Sequence, residues 1–163
     1  HGDDVVHWLR QQTAATTPTA KEAQPTWWHA DLDAVFGLSS VLAIVKALEA
    51  KDPSSAVLQA LRQRSPLMLH VALAQIRRAH ALSLADDLRM ERDMVRHCFH
   101  ADHLQRRGPQ TDTVEGIRAL AVDKDRQPQW QPTRIEDVTP EMVEGYFVSP
   151  WPATAHPLRH LQD

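Results

Sequence analysis

Three groups of residues have types and spacings that could do chemistry. The first is Glu91. On a helix starting at Leu84, the apolar arc contains Leu84, Leu88, Met94, Val95, Cys98 and Phe99, and Glu91 falls inside it. A carboxylate in such a place has its charged form penalised, and a raised pKa suits a general acid or base. A bare buried carboxylate costs several kcal/mol, roughly 2–7, so it needs partners. The backbone amides of the turn leading to Asp112 and the guanidinium of Arg118 are the candidates. No second carboxylate converges on it, so Glu91 is expected to be a buried, structurally satisfied acid.

The second group is His97, Cys98, His100 and His103. Side chains three apart on a helix can share an ion. His97 and His103, however, would point about 120° apart on a continuing helix, and Arg96, Arg106 and Arg107 surround them with positive charge. No metal site is assigned here. A helix C-terminus lined with His and Arg accounts for the pattern. The third group is Asp123, Lys124, Asp125 and Arg126. Lys and Arg are natural phosphate partners; the alternative is a solvated turn with local ion pairs. Beyond these, the chain has no readable nucleophile triad, no Gly-rich phosphate loop and no paired CxxC.

The elements that position these groups read as helices. Strand signals are scarce. Residues 1–12 read as a short amphipathic helix. Residues 13–26, biased to Thr, Ala and Pro, read as an irregular linker. Residues 27–163 read as a helical domain, with helices near 27–36, 40–50, 53–63, 66–80, 84–100, 113–122 and 140–147. Asp52-Pro53, Ser65-Pro66 and Thr139-Pro140 each look like an N-cap followed by proline in the first turn. Ser83-x-x-Asp86 and Asp112-x-x-Glu115 look like capping boxes. The helix from Pro66 is apolar on two sides: Leu67, Val71 and Ala74 on one, Leu69, Leu73 and Ile76 on the other. That predicts a central helix packed between others.

The 163 residues carry a net charge of −3. That balance disfavours a general nucleic-acid footprint. No apolar run approaches membrane-spanning length. The one cysteine, Cys98, cannot close an internal disulfide, which suits a reducing, cytoplasmic setting.

One stretch is more particular than any of these. Asp112, Glu115, Gly116 and Ala119 are followed by Asp123-Lys124-Asp125 and then by Pro128-x-Trp130-x-Pro132. This resembles the closing segment of the crotonase superfamily, in the version found in 3-hydroxyisobutyryl-CoA hydrolases and their enoyl-CoA hydratase relatives. Ser83-Leu84 with Met90-Glu91, Ser65-Pro66, and the run from Asp137 to Phe147 are similar to further helices of that family.

The resemblance implies an all-α C-terminal domain of a crotonase-like protein. The family's ββα spiral core, with its oxyanion amides and carboxylates, would lie in an N-terminal half that is missing here. The chain is thus expected to be a truncated fragment with no catalytic residue of its own. Its function would be that of a lid, packing or association domain of an enzyme acting on acyl-CoA thioesters in fatty acid or valine catabolism. Coenzyme A thioester would be the substrate of the full-length parent, and Lys124 and Arg126 would meet the coenzyme A phosphates. The N-terminal core is the expected partner, together with a homo-oligomeric contact and with neither nucleic acid nor membrane. The alternative is a non-catalytic helical assembly module derived from the same family.

Overall fold

In a computed structural model, Trp8 and residues 30–162 are described. The expected helix over 1–12 and linker over 13–26 lie outside the described residues, Trp8 apart. The chain divides after Gly37. The first unit contributes helix α1, Ala30–Phe36, closed by the Gly37 amide donating to the Asp33 carbonyl at 2.9 Å.

The second unit carries α2 (Val41–Lys51), α3 (Ala56–Arg62), α4 (Pro66–Ala79) and α5 (Leu84–Phe99). After them come α6 (Asp112–Ile117), which runs into a π-helical turn over Arg118–Val122, and α7 (Pro140–Glu144), continued by a 3-10 turn over Gly145–Phe147. Two residue pairs, His100–Ala101 and Arg106–Arg107, form a short antiparallel ladder. The architecture is otherwise helical among the described residues.

The helix starts follow from their caps. Ser40, Ser55, Ser65, Ser83, Thr111 and Thr139 each accept a hydrogen bond from an amide three residues on. Proline follows at Pro66 and Pro140, as the sequence predicts. Asp52 does not cap α3. It closes α2, its side chain accepting from the Ser54 amide and hydroxyl at 2.9 and 2.6 Å, and the helix starts after Ser55 instead. An Asx turn at Asp52 competes with the helix for the same backbone groups.

Leu67 and Val71 of α4, Met94 of α5, and Val143 and Tyr146 after the Thr139 cap form one buried cluster. Leu58, Leu67 and Val71 are fully enclosed, and each contributes roughly 1.5–3 kcal/mol by leaving water. The second apolar side of α4 departs from expectation. Leu69 and Leu73 are only partly covered and Ile76 is 60% exposed, so α4 is buried on one side. Its C-terminal arginines tie it down. Arg77 donates to the Ser39 carbonyl at 2.7 Å, and Arg78 grips both oxygens of Glu144 at 2.6 and 2.7 Å while lying over the Phe147 ring.

Helix α5 is covered along one edge by the segment that follows Phe147. His97 Nε2 donates to the Val148 carbonyl at 2.7 Å, and Asp93 accepts from Ser149 Oγ and His156 Nε2. Arg89 donates to the carbonyls of Leu158 and Leu161. Arg92 stacks on Trp151.

Candidate functional site: a basic turn built on Arg118

The turn begins with a helix that cannot continue. At Arg118 the hydrogen-bonding step lengthens to five residues, Asp123 N–H donating to the Arg118 carbonyl at 2.8 Å. The chain then reverses through two left-handed residues, Lys124 (φ 58°) and Arg126 (φ 57°). Non-glycine residues seldom adopt this conformation, and it costs on the order of 1–3 kcal/mol unless the surroundings over-determine it.

Arg118 supplies that determination. Its guanidinium pairs with both oxygens of Glu115 at 2.8 Å, with Asp123 at 2.6 Å and with Asp125 at 2.7 Å, and reaches the Gln127 carbonyl at 3.2 Å. The returning segment is held by Glu115 and by Asp112. Gln129 N–H donates to Glu115 at 2.7 Å and Gln131 N–H to Asp112 at 3.1 Å. Trp130 donates from its indole nitrogen to the Gln63 carbonyl at 3.2 Å. Its ring lies so close over Gly116 that a Cβ there would stand 3.2 Å from it. Asp112 is buried and also accepts from Ser65 Oγ. Burial pushes its carboxyl above the usual range, against the opposing hydrogen bonds.

The electrostatic result is a sorting of charge. Asp123 and Asp125 turn inward to Arg118, and Lys124 and Arg126 stay exposed. Among the described residues no carboxylate pairs with either cation. The helix leading into the turn also exposes Ile117 (47%), Leu120 (71%) and Val122 (68%). An exposed pair of cations beside apolar side chains can bind an anion carrying an apolar extension.

The Arg118 hydrogen bonds, aided by the Gln129 amide, hold Glu115 down at about 2, well below its usual 4.5. A depressed carboxylate stabilises the fold above its unfolded pKa and loses that contribution as pH falls toward the folded value. The loop over 123–131 is therefore expected to loosen between about pH 4.5 and 2. The indole N–H resonance of Trp130 reports it. Arg118→Gln should abolish the acid dependence; an unchanged titration in that variant would contradict the assignment.

Glu91 is not buried. It is exposed on α5, and Gln75 Nε2 donates to it at 2.9 Å. Neither expected partner engages it, because Arg118 is committed to its own three acids and Asp112 anchors Gln131. Four members of its arc face outward, Leu84, Leu88, Val95 and Phe99 being 70, 37, 54 and 40% exposed, while Met94 is buried and Cys98 packs against the core. Beside Glu91 a cleft of about 440 Å³ opens between α4 and α5.

The histidines serve as braces. His97 and His103 lie edge-on at 5.5 Å and both pack on Tyr146, while His103 holds the Met142 carbonyl at 3.1 Å. His100 ends α5. Among the described residues no three His, Cys, Asp or Glu side chains converge as a metal site. Burial pushes the Cys98 thiol up, away from a reactive thiolate.

Sequence reasoning overlooked Arg118 as the centre of the turn. The signal was present in Glu115, three residues before Arg118, and in two acids alternating with bases just after it.

Against known proteins, a family profile described as enoyl-CoA hydratase/isomerase matches residues 2–147. The chain is 38% identical over 122 residues to a probable 3-hydroxyisobutyryl-CoA hydrolase 2 of Arabidopsis thaliana, covering 71% of this chain and 31% of that protein. It is 32% identical over 124 residues to the mitochondrial 3-hydroxyisobutyryl-CoA hydrolase of Xenopus tropicalis, 74% of this chain and 30% of that protein. It is also 34% identical over 122 residues to the small ribosomal subunit protein mS47 of Arabidopsis thaliana, 71% of this chain and 28% of that protein. The chain thus spans less than a third of the length of these relatives. The profile, running through the turn that Arg118 organises and on to Phe147, covers most of the sequence, and the chain belongs to the enoyl-CoA hydratase/isomerase family.

Proposed function

We propose that the chain is the C-terminal helical portion of an enzyme acting on acyl-CoA thioesters, a 3-hydroxyisobutyryl-CoA hydrolase or an enoyl-CoA hydratase. The observation that carries this reading is the turn at 123–126. It holds two cations that no carboxylate among the described residues pairs with, in a costly backbone conformation, in a chain whose relatives include CoA thioester hydrolases. Lys124 and Arg126 meet the phosphates of the coenzyme. The helices pack over the acyl site, while the carboxylates and oxyanion amides that do the chemistry belong to an N-terminal core. The single Cys98 supports a reducing compartment. The names of the Xenopus and Gallus relatives place those proteins in mitochondria, which gives a specifically cytoplasmic setting no support.

Two measurements test the proposal. The purified chain alone should not turn over 3-hydroxyisobutyryl-CoA or crotonyl-CoA above a buffer blank; turnover would overturn the assignment of the chemistry to another part. In the longer enzyme, Lys124→Ala with Arg126→Ala should raise KM for the CoA thioester about tenfold and leave kcat unchanged. The same acyl group on pantetheine, which lacks the nucleotide phosphates, should show no change. Equal effects on both substrates would remove the phosphate contact from the proposal.

A second reading has its own observation. The ribosomal relative mS47 matches this chain as well as several of the hydrolases do, which favours a non-catalytic assembly module built from the same helices. Absence of thioester turnover from the longer protein, together with its recovery in a large particle, would select it.

A further inference from the structure

Helices α2 and α3, the start of α4 and residues 133–136 border a cleft of about 300 Å³. Its apolar lining is Val45, Leu61, Pro66 and Ile135. Its polar lining is Arg62, Arg64, Arg134 and Thr133, with Glu49 and Glu136. Neither Lys124 nor Arg126 belongs to it.

The three arginines differ in what they already hold. Arg62 is paired with Glu49. Arg134 Nε stands 3.5 Å from Glu136, beyond ordinary hydrogen-bond length. The Arg64 guanidinium and the Thr133 hydroxyl have no partner among the described residues.

The backbone that carries these free donors is held firmly. Arg64 sits between two pinned neighbours: the Gln63 carbonyl accepts from the Trp130 indole at 3.2 Å, and Ser65 Oγ donates to Asp112. Across the cleft, Gln131 precedes Thr133 by two residues. Its amide donates to Asp112 at 3.1 Å, and its carbonyl accepts from Arg106 at 2.5 Å. One buried carboxylate, Asp112, therefore ties both walls together. Donors held in place before a ligand arrives lose less freedom when they bind it.

We propose that this cleft is a binding site for a short-chain aliphatic carboxylate. Arg64, Arg134 and the Thr133 hydroxyl take the anionic end, and Leu61, Pro66 and Ile135 cover the hydrocarbon end.

Three features choose this class. The planar fork of a guanidinium matches the paired oxygens of a carboxylate. Among the lining charges, three arginines against two glutamates leave one positive charge in excess, which suits a monoanion. A dianion would meet repulsion from Glu49 and Glu136. The apolar lining rewards a hydrocarbon body, which a bare inorganic ion lacks. A cleft that is apolar with a few convergent polar groups is the usual form of a small-molecule site. The site stands apart from the turn at 123–126, so either can fail without the other.

The test is an NMR titration of the whole chain with sodium isobutyrate at about pH 7, where the carboxyl is ionised, with ionic strength held constant. Saturable shifts are expected at Arg64, Thr133 and Arg134. Acetate, without the hydrocarbon body, and sulfate, a dianion, should each bind at least about tenfold more weakly, and neutral isobutyramide should not bind. Arg64→Gln should weaken isobutyrate about tenfold, and Arg134→Gln should weaken it by a smaller factor. Arg126→Gln should leave it unchanged. Arg64 is exposed, so Arg64→Gln is expected to keep its helical circular dichroism and melting temperature. Shifts that do not saturate, or that sulfate and acetate reproduce at equal concentration, would reduce the cleft to exposed arginines and overturn the site. So would saturable binding that is indifferent to Arg64→Gln.

Discussion

Asp93→Ala is expected to lower the stability of the folded chain by about 1.5–3 kcal/mol, the worth of hydrogen bonds to a buried charged acceptor. Asp93 and His156 are both enclosed, their side chains 11 and 8% exposed, with 3.1 Å between His156 Nε2 and the carboxylate. The imidazole is used at both nitrogens. Leu158 N–H donates to Nδ1 at 3.0 Å, so the ring proton sits on Nε2 and faces Asp93. Ser149 Oγ donates to the same oxygen at 3.2 Å. Removing the carboxylate strands the buried His156 donor, takes an acceptor from Ser149 and frees the segment after Val148 from α5. Asp93→Asn keeps an acceptor oxygen in place and loses only the charge assistance, about 1–2 kcal/mol. Urea titrations of both variants, with amide exchange over 149–161, separate the effects. A loss below about 1 kcal/mol in Asp93→Ala would mean that this triple does not hold the C-terminal segment. The arrangement is not a nucleophile triad, because the serine bonds to the carboxylate and not to the imidazole.

The same contacts explain why α5 was misjudged from its sequence. Helical spacing identifies stripes, but it does not say which stripe faces in. From residues 84–99 alone, the stripe with Leu84, Leu88 and Val95 is the obvious inner face, and Glu91 becomes an anomaly requiring burial. In the structure the opposite edge, with Asp93 and His97, is covered by Val148, Ser149 and His156 from more than fifty residues away. Polar residues can be inside because distant donors and acceptors satisfy them. That information is nonlocal, and no window on the helix contains it. The helix starts were legible where a side-chain oxygen and a proline act within a few residues, as at Ser65 and Thr139. They failed at Asp52, where an equally local Asx turn won. Around Arg118 the residues of the family motif were legible but their work was not. Gly116 is there because Trp130 lies over it, and Glu115 because it must face Arg118 and the Gln129 amide together.

Gly145→Ala should destabilise the chain by about 1–3 kcal/mol, although by local criteria it ought to help. Gly145 has ordinary helical angles, φ −59° and ψ −24°, at the end of α7. Alanine in such a position is favoured over glycine by roughly 0.5–1 kcal/mol. The obstacle is His103. A Cβ on residue 145 would lie 2.2 Å from its Cδ2, 2.4 Å from Cγ and 2.7 Å from Nε2. Because Cγ is among these atoms, rotating the ring tip does not relieve the clash; the whole imidazole has to leave. It then gives up its hydrogen bond to the Met142 carbonyl and its edge-on packing against Tyr146, at 5.0 Å, and His97. Tyr146 is a member of the buried cluster, so the disturbance reaches Leu67 and Val71. A double-mutant cycle isolates this cause from a general intolerance of alanine. His103→Ala alone should be destabilising. In that background Gly145→Ala should become neutral or mildly stabilising, leaving only its helix propensity. If the two substitutions were simply additive, the glycine would be answering to something other than the histidine ring.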